Sequence, residues 1–157
     1  VAIEFTTPVV AVDNYNWCFR NHVPVVSGTT GWLERWDEVM MSREQLGGGF
    51  FYASNYSIGV NIFFHLNRWL ARTMARFADY KVSVEETHHI HKLDAPSGTA
   101  LTLAKDILKE HPEYTSWVLD EGKVEAGELP VKAKREGEVP GIHSVTYKSS
   151  VDEIHAL

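Results

Sequence analysis

Val23-Pro-Val-Val-Ser-Gly-Thr-Thr-Gly31 decides the fold. Val23–Ser27 reads as a short apolar strand, and Gly28-Thr29-Thr30-Gly31 reads as the loop that ends it. Upstream, Val1–Thr6 is a second stretch of β-branched and aromatic residues. Pro8 then stands where a helix can open, followed by Val9, Val12, Asn16 and Phe19 at roughly helical spacing. Downstream, Leu33–Leu46 reads as a helix with Leu33, Trp36, Met40 and Leu46 inward. Gly47-Gly48-Gly49 stops it, and Phe50–Ser54 is a third strand. Strand, helix, strand, helix, strand implies parallel pairing through right-handed crossovers, an α/β arrangement.

The pattern changes near Asn55–Ile58, which divides the chain into residues 1–57 and 58–157. Ile58, Ile62, Leu66 and Leu70 repeat every four residues within Ile58–Phe77, the spacing of a long helix with one buried stripe. Tyr80–Thr87 alternates apolar and polar residues as a half-buried strand does, and His88–Pro96 is a polar loop. Ser97–Glu110 is a helix with Leu101, Ala104, Ile107 and Leu108 on one face. His111–Gly141 is rich in turns, with a short strand at Val131–Lys134. Ser144–Lys148 and Glu153–Leu157 pair through Ser149–Asp152. The second half is therefore expected to be α+β with a mixed sheet.

Composition narrows the function. The chain has 157 residues, of which 44% are hydrophobic and 23% charged, as expected for a soluble globular protein. A net charge of −6 argues against nucleic acid as the main partner. No apolar run reaches the roughly 18 residues that span a bilayer, so no membrane partner is expected. One cysteine, Cys18, excludes an internal disulfide and a Cys-rich zinc site, and a reducing, cytoplasmic setting is the simpler expectation.

Chemistry concentrates in Glu86-Thr-His88-His89-Ile-His91-Lys92-Leu-Asp94-Ala-Pro96-Ser97-Gly98-Thr99-Ala100. Three histidines and a lysine fall within five positions at the end of a strand, just before a helix start that Ser97 or Asp94 can cap. Outward amides at Ser97, Gly98 and Thr99 would sit at the positive end of a helix dipole, which suits a carboxylate. Histidine moves protons near neutral pH, and a crowded lysine gives up its proton more readily. Taken singly, each histidine is more often a surface or structural residue, and a Ser-Gly helix start is usually only a cap. The histidine cluster could also take a metal, but it lacks the i, i+4 helical spacing of a zinc protease, so acid–base chemistry is favoured and no metal ligand is assigned. Gly28–Thr30 and Ala53-Ser54-Asn55-Tyr56 both follow strands of the parallel sheet, on the edge where open sheets bind ligands. Gly47-Gly48-Gly49 follows a helix and precedes a strand, the reverse of a nucleotide fingerprint.

The run from Glu86 to Ala100 closely resembles the signature of the dihydrodipicolinate reductase (4-hydroxy-tetrahydrodipicolinate reductase) family. Ile3–Pro8, Val25–Gly31, Ala53–Asn61 and Val139–His143 resemble further family stretches in order and spacing, so the likeness covers essentially the whole chain. It implies a Rossmann-like dinucleotide-binding part in residues 1–57 and a substrate-binding, tetramerising part in 58–157. It also implies NADH or NADPH as cofactor, a small cyclic dicarboxylate as substrate, a homotetramer, and a place in diaminopimelate and lysine biosynthesis. Carried over, His88 is the proton donor/acceptor and Lys92 the proton donor. His89, Gly98 and Thr99 contact substrate, while Gly28, Thr29, Thr30 and the Ala53–Tyr56 loop face the nicotinamide end of the cofactor. His91, Asp94 and Ser97 match with supporting roles.

There are departures. The family's Gly-rich phosphate loop and the residue that chooses NAD or NADP are absent, and a C-terminal return segment is not matched. The chain is therefore expected to be a piece of the enzyme that binds cofactor poorly alone. Ser54 and Tyr56 stand where many relatives have proline and phenylalanine. Two other readings stay open: a non-catalytic binding and oligomerisation module, and a metal-dependent hydrolase using the histidines.

Overall fold

The computed structural model describes residues 1–157, and the chain separates into two compact units, Val1–Ser57 and Ile58–Leu157. In the first, β1 (Ala2–Glu4), α1 (Pro8–Arg20), β2 (Val25–Ser27), α2 (Trp36–Leu46) and β3 (Phe50–Tyr52) follow one another, with a 3₁₀ turn at Leu33–Arg35. The three strands are parallel in the order β1-β2-β3, with Ala2 beside Val25 and Val25 beside Phe50. Pro8 opens α1, where its missing N–H costs nothing. Gly47 closes α2 in the left-handed conformation at φ 62°, and Gly48 N–H returns to the Arg43 carbonyl.

Helix phase in this unit differs from the spacing argument. α1 buries Ala11, Val12, Tyr15, Cys18 and Phe19, and leaves Val9 80% exposed. In α2 Val39 is the one fully buried residue, Met40 and Leu46 pack on the core as expected, and Leu33 and Trp36 are exposed. Trp32 takes the core position instead, because its indole N–H reaches the Thr29 carbonyl at 2.7 Å and its ring meets Tyr15, Phe50 and Tyr52 edge-on. An aromatic that satisfies its polar atom can be buried whole.

The second unit contains α3 (Ile58–Met74), β4 (Lys81–His88), α4 (Gly98–Glu110), β5 (Ser116–Leu119), β6 (Glu128–Arg135), β7 (Ile142–Lys148) and β8 (Glu153–Ala156). Its mixed sheet has the order β5-β6-β4-β7-β8. β4 runs parallel to β6 and antiparallel to β7. Val82 and Val84 of β4, Leu129 and Val131 of β6 and Val145 and Tyr147 of β7 form the core with Leu103 and Ile107 of α4. β5 is an added strand, and β6 is twice the length the sequence suggests.

α3 corrects the expected stripe. Ile58, Ile62 and Leu66 are 80%, 55% and 55% exposed, whereas Phe64, Asn67, Ala71 and Met74 are buried. Of the four spaced residues only Leu70 packs on the core. Ala71 and Asn67 let α3 approach α4 closely, and Asn67 Nδ2 donates to the Leu103 carbonyl at 3.0 Å. Arg68–Asp106 and Arg72–Glu110 pairs, each 2.9 Å, flank that contact. In α4, Ala104 and Ile107 are buried as expected, joined by Ala100 and Leu103, while Leu101 and Leu108 lie at the margin.

Candidate active site

β4 alternates strictly: Val82, Val84, Glu86 and His88 are buried on one face. The last two are ionisable where the first two are apolar. His88 is thus the final residue of the strand and only 8% exposed, not part of the following loop. Register sets its neighbours, with Glu86 opposite His143 on β7 and His88 opposite Arg135 on β6.

Glu86 is fully buried and surrounded by donors. The Ser97 amide donates to both carboxylate oxygens at 3.0 and 3.1 Å. Arg135 lies 3.4 Å from Oε1, and the Nε2 atoms of His143 and His88 lie 3.5 and 3.6 Å from Oε2. Burial alone pushes the carboxyl up, but the bonds from His143 and Ser97 and the charge of His88 bring it down to about 2. Burial pushes the His88 imidazolium down. Glu86 pulls it back up, positive charge on His143 and Lys92 pushes it down again, and the net result lies below the ordinary histidine range.

Ser97 caps α4, its hydroxyl accepting from Ala100 N–H at 3.2 Å. This corrects two expectations. Pro96 precedes the cap rather than lying in the first turn, and the Ser97 amide turns inward to Glu86 rather than outward. Gly98 and Thr99 are the first two residues of α4 after that cap. Lys92 Nζ pairs with Asp94 at 2.7 Å. Arg135 holds this loop by donating to the Asp94 carbonyl at 2.5 Å and the Lys92 carbonyl at 3.4 Å. The buried Nδ1 of His89 has no partner within the chain, and His91 faces outward to Glu138. Glu86, Arg135 and His143 received no role from the sequence, although the i, i+2 spacing of Glu86 and His88 puts them on one face of a strand.

Glu86, His88 and His143 offer donor atoms within 4.8 Å of one another, the atom types that bind transition metals. The Arg135 guanidinium beside Glu86 opposes a second cation there, and the Ser97 amide already uses both carboxylate oxygens. The arrangement suits shared protons better than a metal.

In the first unit the loops after β2 and β3 lie at the carboxyl ends of parallel strands. Thr29 is buried, its hydroxyl accepting from Thr6 N–H at 2.8 Å, while Thr30 is exposed. A Cβ on Gly28 would lie 2.1 Å from the Phe5 ring, so only glycine leaves that ring its place. Phe5 in turn meets Tyr56, 5.8 Å between centroids, and Tyr56 donates to the Ser27 carbonyl at 2.9 Å. Asn55 accepts from Ser57 N–H, Ala53 is half-buried and Ser54 exposed. Beneath this edge, Tyr15 and Ser27 donate to the buried Glu4 carboxylate at 3.2 and 2.7 Å.

Two family descriptions match the chain: "Dihydrodipicolinate reductase, N-terminus" over residues 1–56 and "Dihydrodipicolinate reductase, C-terminus" over residues 59–156. The chain belongs to the dihydrodipicolinate reductase family. A 4-hydroxy-tetrahydrodipicolinate reductase of Christiangramia forsetii is 49% identical over 154 residues, covering 98% of this chain and 64% of that protein. The Methanoregula boonei protein of the same name is 37% identical over 155 residues, covering 98% and 60%. The chain thus spans under two thirds of the length of these relatives. Among solved structures, a dipicolinate-bound dihydrodipicolinate reductase from Paenisporosarcina sp. TG-14 superposes with a TM-score of 0.63 at 25% identity, over 98% of this chain and 59% of that one. The Rossmann-like parallel sheet followed by a mixed sheet is therefore the fold of this family.

Proposed function

We propose that the chain serves a reductase that uses NADH or NADPH to convert 4-hydroxy-tetrahydrodipicolinate to tetrahydrodipicolinate in diaminopimelate and lysine biosynthesis. The observation that carries this reading is the coupling of an acid–base histidine to a helix terminus through one buried carboxylate. His88 and the cap of α4 both converge on Glu86. The orphaned Nδ1 of His89 supplies a further group for the substrate.

Residues 58–157 would bind the cyclic dicarboxylate, with Gly98 and Thr99 meeting one carboxylate at the positive end of α4 and His89 contacting the ring or the second carboxylate. Lys92 and His88 would supply the proton. When bound, the nicotinamide supplies the hydride. Hydride and proton enter the substrate and its hydroxyl leaves as water.

Residues 1–57 would hold the nicotinamide end. The carboxyl edge of a parallel sheet fits such a group, since Phe5, Gly28 and Tyr56 form an aromatic ledge there. Thr30 and the polar Ala53–Asn55 backbone border it, and Thr29 shapes the loop from inside. Assembly as a homotetramer would cover the exposed apolar row Ile58, Ile62, Leu66 and Trp69 of α3. The single buried thiol, Cys18, suits the reducing cytoplasm.

The test is calorimetric titration with pyridine-2,6-dicarboxylate, NADH and NADPH, with turnover of the hydroxylated substrate measured alongside. His88→Ala and Lys92→Ala are expected to lower turnover by about 100-fold or more while sparing cofactor binding. Unchanged turnover in both variants would refute the acid–base roles. Binding of both dicarboxylate and NADH or NADPH with no turnover in the wild type would favour a binding module instead.

A further inference from the structure

Two imidazoles meet nose to nose at the end of β4. His88 Nδ1 lies 3.2 Å from the Pro140 carbonyl, which can only accept, so this nitrogen carries hydrogen. In neutral His88 the lone pair is then on Nε2. That atom lies 3.3 Å from His143 Nε2 and 3.6 Å from Glu86 Oε2. His143 Nε2 is itself 3.5 Å from the same oxygen and 3.1 Å from the Ser97 hydroxyl. Without a hydrogen among them, these lone pairs repel. With one on each Nε2, the two N–H groups collide. One proton on the Nε2 pair satisfies the geometry.

We propose that His88 and His143 hold one proton in common against the Glu86 anion, so that His143 sets the protonation of His88. The sharing stands on geometry, and its catalytic consequence rests on the reading of His88 as proton donor. When His88 gives its Nε2 proton to substrate, the N–H electron pair stays on nitrogen. The emptied Nε2 pair then takes one proton from water, which leaves as hydroxide, and the 3.3 Å contact shares that proton again. The groups facing the pair come from every neighbouring element. Glu86 is on β4, Arg135 on β6 and Lys92 in the loop after β4, while Ser97 caps α4. The His89 ring lies 6.5 Å from His88, centroid to centroid. His143 is a positioning residue in this account.

The test is side-chain ¹⁵N NMR of the histidines across pH in the full chain, with calorimetry of pyridine-2,6-dicarboxylate on the same samples. In the wild type, His88 and His143 are expected to report the same two macroscopic midpoints, separated by more than about one pH unit. In His143→Gln, His88 is expected to titrate in one step, above the lower wild-type midpoint, because a neighbouring like charge is gone. In Glu86→Gln its midpoint should fall. A purely structural His143 would leave the His88 curve where it was. Independent single midpoints in the wild type, or an unmoved His88 curve in His143→Gln, would overturn the proposal. Coupled midpoints without dicarboxylate binding would uphold it and overturn the functional reading of the site alone.

Discussion

Replacing Glu86 by Gln keeps the side chain's shape and removes its charge, so it isolates what the buried anion does for stability. The carboxyl sits at about 2 in the folded chain against an ordinary 4.5. Each pH unit of that gap corresponds to about 1.4 kcal/mol, giving about 3 kcal/mol from this one group. A carboxyl held below its unfolded value stabilises fully above pH about 4.5, and the contribution fades as pH falls through about 2. The stability difference between wild type and Glu86→Gln should therefore be widest near neutrality and narrow by about 3 kcal/mol on acidification. Other carboxylates titrate in the same range, but both proteins share them and they cancel in the difference. Urea unfolding at a series of pH values, followed on β4 amide resonances, reads the unit that holds Glu86. A difference that stays constant from pH 6 to pH 2 would refute the claim that Glu86 is stabilised by its charge.

Gly28→Ala should push the Phe5 ring from its place, since the new methyl would lie 2.1 Å from it. Nicotinamide cofactor affinity in calorimetry is expected to drop by 10-fold or more (about 1.4 kcal/mol) with dicarboxylate affinity unchanged. Tyr15→Phe removes the hydroxyl bonded to Ser27 at 2.6 Å and Glu4 at 3.2 Å. It should cost about 1–3 kcal/mol of stability in the first unit, measured by denaturant unfolding. Leu103→Ala should cost about 2–5 kcal/mol, whereas Ile62→Ser on the outer face of α3 should stay within about 0.5 kcal/mol in the isolated chain. Equal effects would refute the observed phase of α3.

The strand–helix order was legible because each parallel strand is a short apolar run closed by a glycine loop, as in Val23–Gly31. Helix phase was less so. α3 is apolar on two sides, with Phe63, Phe64 and Leu70 on one and Ile58, Ile62 and Leu66 on the other, and periodicity cannot choose between them. Only the close approach at Asn67 and Ala71 settles which side packs. β6 was half hidden because Pro130 interrupts its apolar run and Lys132 and Lys134 dilute it. In the candidate site, residues 86–100 announce themselves by density. His143 and Arg135 do not, because their nearness to Glu86 and His88 depends on strand pairing across about fifty positions. Pairing at that separation leaves no local trace.

The alternation of β4 also limits how this molecule can vary. Val82, Val84, Glu86 and His88 share one face, so core and chemistry are threaded on a single two-residue rhythm. Inserting one residue between Lys81 and Val82 would do two kinds of damage at once. It would turn valines to the wrong side, and it would exchange the acid and the imidazole for Glu85 and Thr87. A change of length here is expected to cost the fold more than a substitution does. Insertions are expected to gather instead in the turn at 120–127, where added residues leave the β4 count intact.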